Sequence, residues 1–560
     1  MRKERNSTEG FSLFCIFVPV KYKRIIFFTC LLAFTLLMSL PWLVPHMGWT
    51  ALLGLLPLLV AERLAAQQQV KHFWWWHYAA FVLWNAATTW WVGEATVGGA
   101  VFAIAANALQ MSVIFGSFRW VKKRISGVLP YLYLAAAWMA WERFYLTSAQ
   151  ISWPWLVLGN AFAQSTSLVQ WYSVLGTLGG SFWVWASNLS LFGLMVALSD
   201  GRMARWNGKA RAAAFGGAVL AILSPVAWSF CLRFQEEGRP LRVVIGQPNY
   251  DPYEKFESLT QEQQDARFLA LVEKADWDNP APALILAPET FTSRVYSNAV
   301  PEHETFLRFR QFLQQHPQAT ILYGATIYEP VLSATAPDPC AYDIGKLSDG
   351  THQWILLHNS ALITDTSGRY GMYHKSKLVV GTELTPYPRF FIPFQKWLLG
   401  HTVMAQDVGQ KDISCLTMQL PGGPVKIGTA VCYESVYGEF CTGYVRKGAQ
   451  LLTVITNDAW WGNTPGYLQH LSYSRLRAIE TRRWVARCGN TGISALIDPT
   501  GHILDRTPWW EPAVLEGSVQ LLQGETFFVR HGDMVGRCAV LLFLLLGLAA
   551  LFRPNQLRRG

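Results

Sequence analysis

The sequence predicts two structural classes in one chain: a polytopic α-helical membrane domain of about eight spans, and an α/β domain held outside the cytoplasm. Three observations predict it. First, 51% of the 560 residues are hydrophobic and only 15% charged, too apolar a balance for a soluble enzyme of this length. Second, the apolar character is concentrated in residues 11–234 and 534–552, while 240–530 has a mixed globular composition. Third, residues 241–520 alternate short β-branched runs with amphipathic stretches, the pattern of buried strands between helices.

With about 20 residues per span, helices are expected near 24–45, 47–64, 72–93, 97–118, 127–146, 170–199, 212–233 and 534–552. The first seven fall in an N-terminal bundle over 1–235, and the eighth, 534–552, leads to a short cytoplasmic tail, 553–560. The run 11–20 is too short to span and reads as interfacial. No small-residue cleavage site follows the first apolar stretch, so that stretch is expected to be a retained helix.

Charge orients these spans. Lys and Arg gather before the first span, between the fourth and fifth (Arg119, Lys122, Lys123, Arg124), between the sixth and seventh (Arg202, Arg205, Lys209, Arg211) and in the tail, whereas 92–99 and 147–167 carry none. Eight spans put every cluster on one side, which the positive-inside rule makes cytoplasmic. The 240–530 domain is then extracytoplasmic, and topology accounts for most of the net charge of +10 without nucleic-acid binding. Many of the 26 Trp, including Trp42, Trp49, Trp74, Trp90 and Trp91, lie near expected helix ends as interfacial anchors. The neutral loop 152–160 is unusually apolar and is expected to line a lipid entrance.

The nine Cys show no paired metal spacing, so no metal site is expected, and no phosphate loop, dinucleotide fingerprint or other cofactor motif is present. Chemistry must come from side chains. Strands are expected at 242–246, 284–288, 321–327, 360–365, 425–432, 450–456 and 492–498, and helices at 260–275, 302–315, 437–447 and 467–485. Cys432 ends one apolar strand and is followed at once by a polar turn, an elbow that suits a nucleophile, while Glu289 ends another. Lys375 lies in Tyr373-His-Lys-Ser-Lys-Leu-Val379. A thiol needs a base to take its proton and a cation to hold an oxyanion, and these three supply them. Cys441, nine residues beyond Cys432 in an expected helix, reads as packing.

Glu, Lys and Cys in these settings match the triad of the nitrilase (carbon-nitrogen hydrolase) superfamily. Leu40-Pro-Trp42, Trp84-Asn-Ala-Ala-Thr-Thr-Trp-Trp91, Trp153-Pro-Trp155, Gln247-Pro-Asn249, Ala287-Pro-Glu-Thr290, His358-Asn-Ser-Ala361, 373–383, Val431-Cys-Tyr-Glu434, Asn457-Asp-Ala-Trp-Trp-Gly462 and Arg475-Leu-Arg-Ala-Ile-Glu480 extend the match over nearly the whole chain. On these residues it resembles the apolipoprotein N-acyltransferases, the membrane branch of that superfamily.

The resemblance implies an α-β-β-α sandwich for 240–530, with Glu289 as general base, Lys375 as transition-state stabiliser and Cys432 as nucleophile, supported by Glu383, Tyr433 and Glu434. It implies a phospholipid acyl donor, a diacylglyceryl-modified prolipoprotein acceptor, and a bacterial inner membrane with the catalytic domain on the periplasmic face. Two departures are present: Leu378-Val-Val-Gly-Thr-Glu383 replaces a pattern with Pro and Phe-Gly before the second Glu, and Phe256 stands where the family often has Trp. A membrane-tethered amidase, with water resolving the thioester, uses the same triad. A transporter is disfavoured because Glu62, Glu94 and Glu142 sit near expected span ends. The apolar stretch 390–399 reads either as a lid dipping toward lipid or as a buried core hairpin.

Overall fold

The computed structural model describes residues 20–553 apart from 233, 235, 236, 400–403 and 405. The interfacial segment 11–20 lies, but for its last residue, outside the described residues, as do the tail beyond 553 and the side chain of Phe256. Helices occupy all eight expected span positions: α1 (Val20–Leu43), α2 (Gly48–Gln67), α3 (Phe73–Thr89), α4 (Val97–Lys122), α5 (Leu129–Thr147), α6 (Tyr172–Ser199), α7 (Gly208–Cys231) and, at the far end of the chain, a helix over Met534–Leu551. Six are long and apolar enough to cross a membrane, but α3 and α5 are not among them. At 17 residues α3 is short, ending at Thr89 rather than near 93, and α5 carries Glu142 and Arg143 among its Trp and Tyr.

Polar side chains inside the bundle serve backbone groups that helix breaks leave open. Ahead of Pro57, where α2 is interrupted, the N–H groups of Leu55 and Leu56 both donate to Asn188 Oδ1, at 2.9 and 3.1 Å. At one end of the bundle Lys122 pairs with Glu62 at 2.5 Å, and Arg63 pairs with Asp200. The opposite end carries the α/β domain.

That domain contains β1 (Arg239–Gln247), β2 (Ala283–Leu286), β3 (Thr292–Tyr296), β4 (Ala319–Ser333), β5 (Tyr342–Lys346), β6 (His352–Thr364), β7 (Tyr370–His374), β8 (Leu416–Met418), β9 (Val425–Val431), β10 (Ala449–Thr456), β11 (Val485–Gly489), β12 (Ala495–Ile497), β13 (Ile503–Arg506) and β14 (Ala513–Leu521). Its longer helices are α8 (Gln261–Val272), α9 (Glu304–Gln315), α10 (Pro388–Leu399), α11 (Gly438–Arg446) and α12 (Pro465–Thr481), so the last span is α13. One sheet runs β14-β1-β2-β4-β6-β5, with β3 against β4 and β7 against β6; the other runs β13-β12-β11-β10-β9-β8.

The strands are apolar on both faces because both faces are covered. Along β1, Val243 and Ile245 share a core with Ile427 and Val454 of the opposing sheet, while Val244 packs outward with Phe268 of α8 and Phe309 of α9. Tyr444 of α11 and Leu471 of α12 pack with the residues of the second sheet. The result is the α-β-β-α sandwich that the resemblance implies.

Several local expectations are corrected. The helix expected over 467–485 stops at Thr481, because Arg482 adopts a left-handed conformation (φ 48°), and Val485 opens β11. The expected strand 492–498 shrinks to β12. The stretch 390–399 is neither hairpin nor core: Pro388–Leu399 is a helix with Phe390 64% and Trp397 79% exposed. Trp42 and Trp91 are buried rather than lipid-facing, and the loop expected to line a lipid entrance is packed inward, with Trp155, Leu156 and Leu158 buried.

What those aromatics pack against joins the two parts. Gln469 of α12 accepts the indole N–H of Trp155 at 2.6 Å and of Trp91 at 3.2 Å, and its amide donates to the carbonyls of Trp42 and Thr88, both at 3.2 Å. One buried amide thereby spends four hydrogen bonds on three segments of the bundle.

Candidate active site

Four strand ends converge on one buried site. Strand β2 runs through Ala287 and Pro288 into Glu289, and β7 delivers Lys375 immediately after His374. Strand β9 ends at Val431, so Cys432 starts the short turn Cys432–Val436, and β10 ends at Thr456, next to Asn457. Cys432 has φ 53°, a left-handed conformation that costs a residue with a Cβ about 1–2 kcal/mol. The strain turns the residue out of the strand line at the entry to the turn.

Lys375, 1% exposed, donates from Nζ to Glu289 Oε1 at 3.1 Å and to Glu383 Oε1 at 2.8 Å. Asn359 of β6 bridges the same two oxygens, its amide donating at 2.8 Å to Glu289 and 2.7 Å to Glu383. The second oxygen of Glu289 accepts the Asn457 N–H at 3.1 Å, and that of Glu383 the Val379 N–H at 2.8 Å. Both carboxylates are fixed by backbone as well as by cation. Burial alone pulls the Lys375 ammonium down, but Glu289, Glu383 and Cys432 together outweigh it and hold it well above the ordinary lysine value. Burial pushes the Cys432 thiol well up; Glu289 adds to the rise and Lys375 opposes it. Burial and Glu289 thus work against the thiolate at rest, and Lys375 works for it.

The expected supporting residues hold the frame. Glu434 is fully buried: Oε1 accepts Tyr373 Oη–H at 2.7 Å and Ser376 N–H at 2.6 Å, and Oε2 accepts Val431 N–H at 2.8 Å. It ties the strand before the elbow to the segment that carries Lys375. Tyr433 donates to the Ser152 carbonyl at 3.0 Å and stacks on Trp153, so the elbow itself docks on the bundle. Cys441 is buried with its thiol toward the Glu434 carbonyl, as a packing residue.

Sequence reasoning missed Asn359, Asn457, Asp458, His470 and Arg487 as parts of this site. Asn359, Asn457 and Asp458 stood inside quoted motifs, but nothing in the sequence assigned them contacts. Cys432, Asp458 and His470 offer ligand atoms within 4.8 Å of one another. Asp458, however, is occupied by Arg487 Nη2 at 2.5 Å and His470 at 2.9 Å, so the donor set is spent internally and does not fit a metal ion.

Two family models match in tandem: Apolipoprotein N-acyltransferase N-terminal domain over 34–190, and Carbon-nitrogen hydrolase over 200–526, more than half of the chain. An apolipoprotein N-acyltransferase of Chlorobaculum tepidum is 28% identical over 549 residues, 94% of this chain and 97% of its own. That of Azotobacter vinelandii is 30% identical over 450 residues, 78% of this chain and 76% of its own. The chain belongs to the apolipoprotein N-acyltransferase family. The order of the two matched regions is the order of bundle and sandwich, and within this apolipoprotein N-acyltransferase family member the site lies where the two meet.

Proposed function

We propose that this protein N-acylates lipoproteins, taking the acyl chain from a membrane phospholipid and carrying it as a thioester on Cys432. Glu289 removes the thiol proton as Sγ attacks the ester carbonyl, and Lys375 with the Tyr433 backbone N–H holds the oxyanion. The oxyanion collapses, the lysophospholipid alcohol leaves with the proton from Glu289, and the thioester remains. The free amine of an S-diacylglyceryl-cysteine then attacks, Glu289 takes its proton, and an amide forms with the thiol restored. Glu383 and Asn359 keep Lys375 and Glu289 in place, and Tyr433 and Glu434 hold the elbow.

The observation that carries this reading is the Lys375 Nζ to Glu289 Oε1 contact of 3.1 Å, in a buried site whose nucleophile turn packs on a membrane bundle. Two lipid-anchored substrates need a catalyst built onto the bilayer. The orientation belongs to the same proposal. The basic segments that end α4 and follow α6 lie with the Glu62 and Asp200 ion pairs, away from the sandwich, which supports a periplasmic catalytic face.

The test supplies phospholipid labelled in its acyl chain together with a synthetic S-diacylglyceryl-cysteine lipopeptide. Label in a lipopeptide amide is expected. Label released only as free fatty acid contradicts transfer and favours the hydrolase.

A further inference from the structure

The carbonyl of Cys432 is held by two donors: Ser435 Oγ at 2.8 Å and His470 Nε2 at 3.1 Å. His470 is fully buried on α12, with Trp155 and Trp461 against its ring. Ser435 Oγ also lies 3.0 Å from Nε2; with the Ser435 hydroxyl given to the carbonyl, both oxygens at this edge are left to accept, and a proton on Nε2 serves them. The other ring nitrogen sits 2.9 Å from Asp458 Oδ1 and 3.1 Å from Arg487 Nη2. Asp458 is itself fixed by Thr456 Oγ at 2.7 Å. The imidazole is thus locked on both edges, and one edge points at the peptide unit between Cys432 and Tyr433.

That peptide unit is the one whose N–H belongs to Tyr433. The turn Cys432–Val436 begins there, and the leading N–H groups of a helical turn have no partner within it. Donors on the carbonyl of a peptide polarise it and make its N–H a stronger donor, because hydrogen bonds in series reinforce one another. The same contacts hold a left-handed Cys432 whose conformation needs outside support.

We infer that His470 is a positioning residue for the acyl-transfer reaction: its Nε2–H, locked by Asp458 and Arg487, holds the Cys432 carbonyl so that the Tyr433 N–H is aimed and strengthened as an oxyanion donor. The inference rests on the thioester reading above. His470 takes no proton from the thiol, since its Nε2–H is shared between the Cys432 carbonyl and Ser435 Oγ.

The discriminating experiment measures single-turnover acylation of Cys432 from phospholipid, by intact mass, in the full-length protein and in His470→Gln, His470→Asn and His470→Phe. Glutamine carries an amide N–H near the Nε2 position, asparagine near Nδ1, and phenylalanine neither. Gln is expected within about threefold of wild type, and Asn and Phe slower by about tenfold to a hundredfold, below the span measured for deleting a direct oxyanion donor. A melting temperature in detergent reports whether each variant is folded. If Phe fails that check, the Gln and Asn pair decides.

Equal rates for Gln and Asn overturn the inference, as does a Phe variant as fast as wild type. A Gln variant as dead as a folded Phe variant also overturns it, by pointing to imidazole as the proton acceptor. A wild type that forms product without loading Cys432 removes the thioester reading and this inference together, whereas the other outcomes leave the thioester intact.

Discussion

Glu434 accepts the backbone N–H of Ser376 at 2.6 Å, one residue beyond Lys375 and two beyond Cys432 in their respective segments. Its other oxygen holds Val431 N–H, one residue before Cys432. A single buried carboxylate thus sets the spacing between the cation and the thiol, across 58 residues of sequence.

Glu434→Ala leaves Tyr373 Oη–H and the N–H groups of Ser376 and Val431 without this acceptor. Each orphaned buried donor costs about 1–3 kcal/mol, so a fall of about 3 kcal/mol or more in stability is expected, with acylation lost even where the protein remains folded. Glu434→Gln keeps one acceptor oxygen and should lie between. Thermal melts in detergent check this; an Ala variant melting with wild type contradicts the tie.

Glu383 tests the second carboxylate. Glu383→Gln keeps a carbonyl acceptor but removes one of the charges that hold the buried Lys375 ammonium. Acylation is expected to fall about tenfold to a hundredfold, by loss of oxyanion stabilisation, with little change in melting temperature. Phospholipid-dependent acylation rates in the two proteins decide it, and an unchanged rate would show that Glu289 alone suffices to hold Lys375.

Resting Cys432 gives a pH prediction. Burial and Glu289 raise the thiol well above its ordinary value against the pull of Lys375. The thiolate fraction at neutral pH is small, so alkylation by iodoacetamide should climb about tenfold per pH unit and still be rising at about pH 9. A plateau below about pH 7 would reveal a preformed thiolate.

Gln469 tests the junction between bundle and sandwich. Gln469→Leu strands the Trp155 indole N–H and removes the side-chain donor from the carbonyls of Trp42 and Thr88, while the Trp91 indole keeps its 3.0 Å bond to the Thr88 carbonyl. A loss of about 2–4 kcal/mol is expected, from orphaned buried groups of about 1–3 kcal/mol each. Gln469→Glu retains acceptors for both indoles but no donor for the carbonyls. Melting temperatures and protease sensitivity of the 232–239 connection report it; a Leu variant as stable as wild type would show that packing alone holds the two parts.

The architecture was legible wherever one local period or one local charge pattern carried it. The apolar spans, the two-faced burial of strands such as β1, and the elbow at Cys432 all announce themselves within a few residues. The helix α12 was over-extended because its end carries no glycine: Arg482 takes the left-handed conformation instead, so the usual stop signal is missing. The segment of α10 carries a helical amphipathic period, but Pro393 inside it argues against a helix and hid the element.

Within the site, Glu289, Lys375, Glu383 and Cys432 could be named from their motifs, but the contacts between them could not. Asn359 joins Glu289 and Glu383 across 70 and 24 residues, and His470 reaches Cys432 across 38. Such links depend on which strand ends meet, and no spacing rule records that.

The most direct test of the whole account is the mass of the Cys432 peptide after the purified protein meets phospholipid without an amine acceptor. An added acyl mass on that peptide, removed by hydroxylamine and discharged into an amide when the S-diacylglyceryl-cysteine lipopeptide is added, is the predicted result. Acyl mass on the Cys441 peptide, or amide product formed with Cys432 never modified, contradicts it.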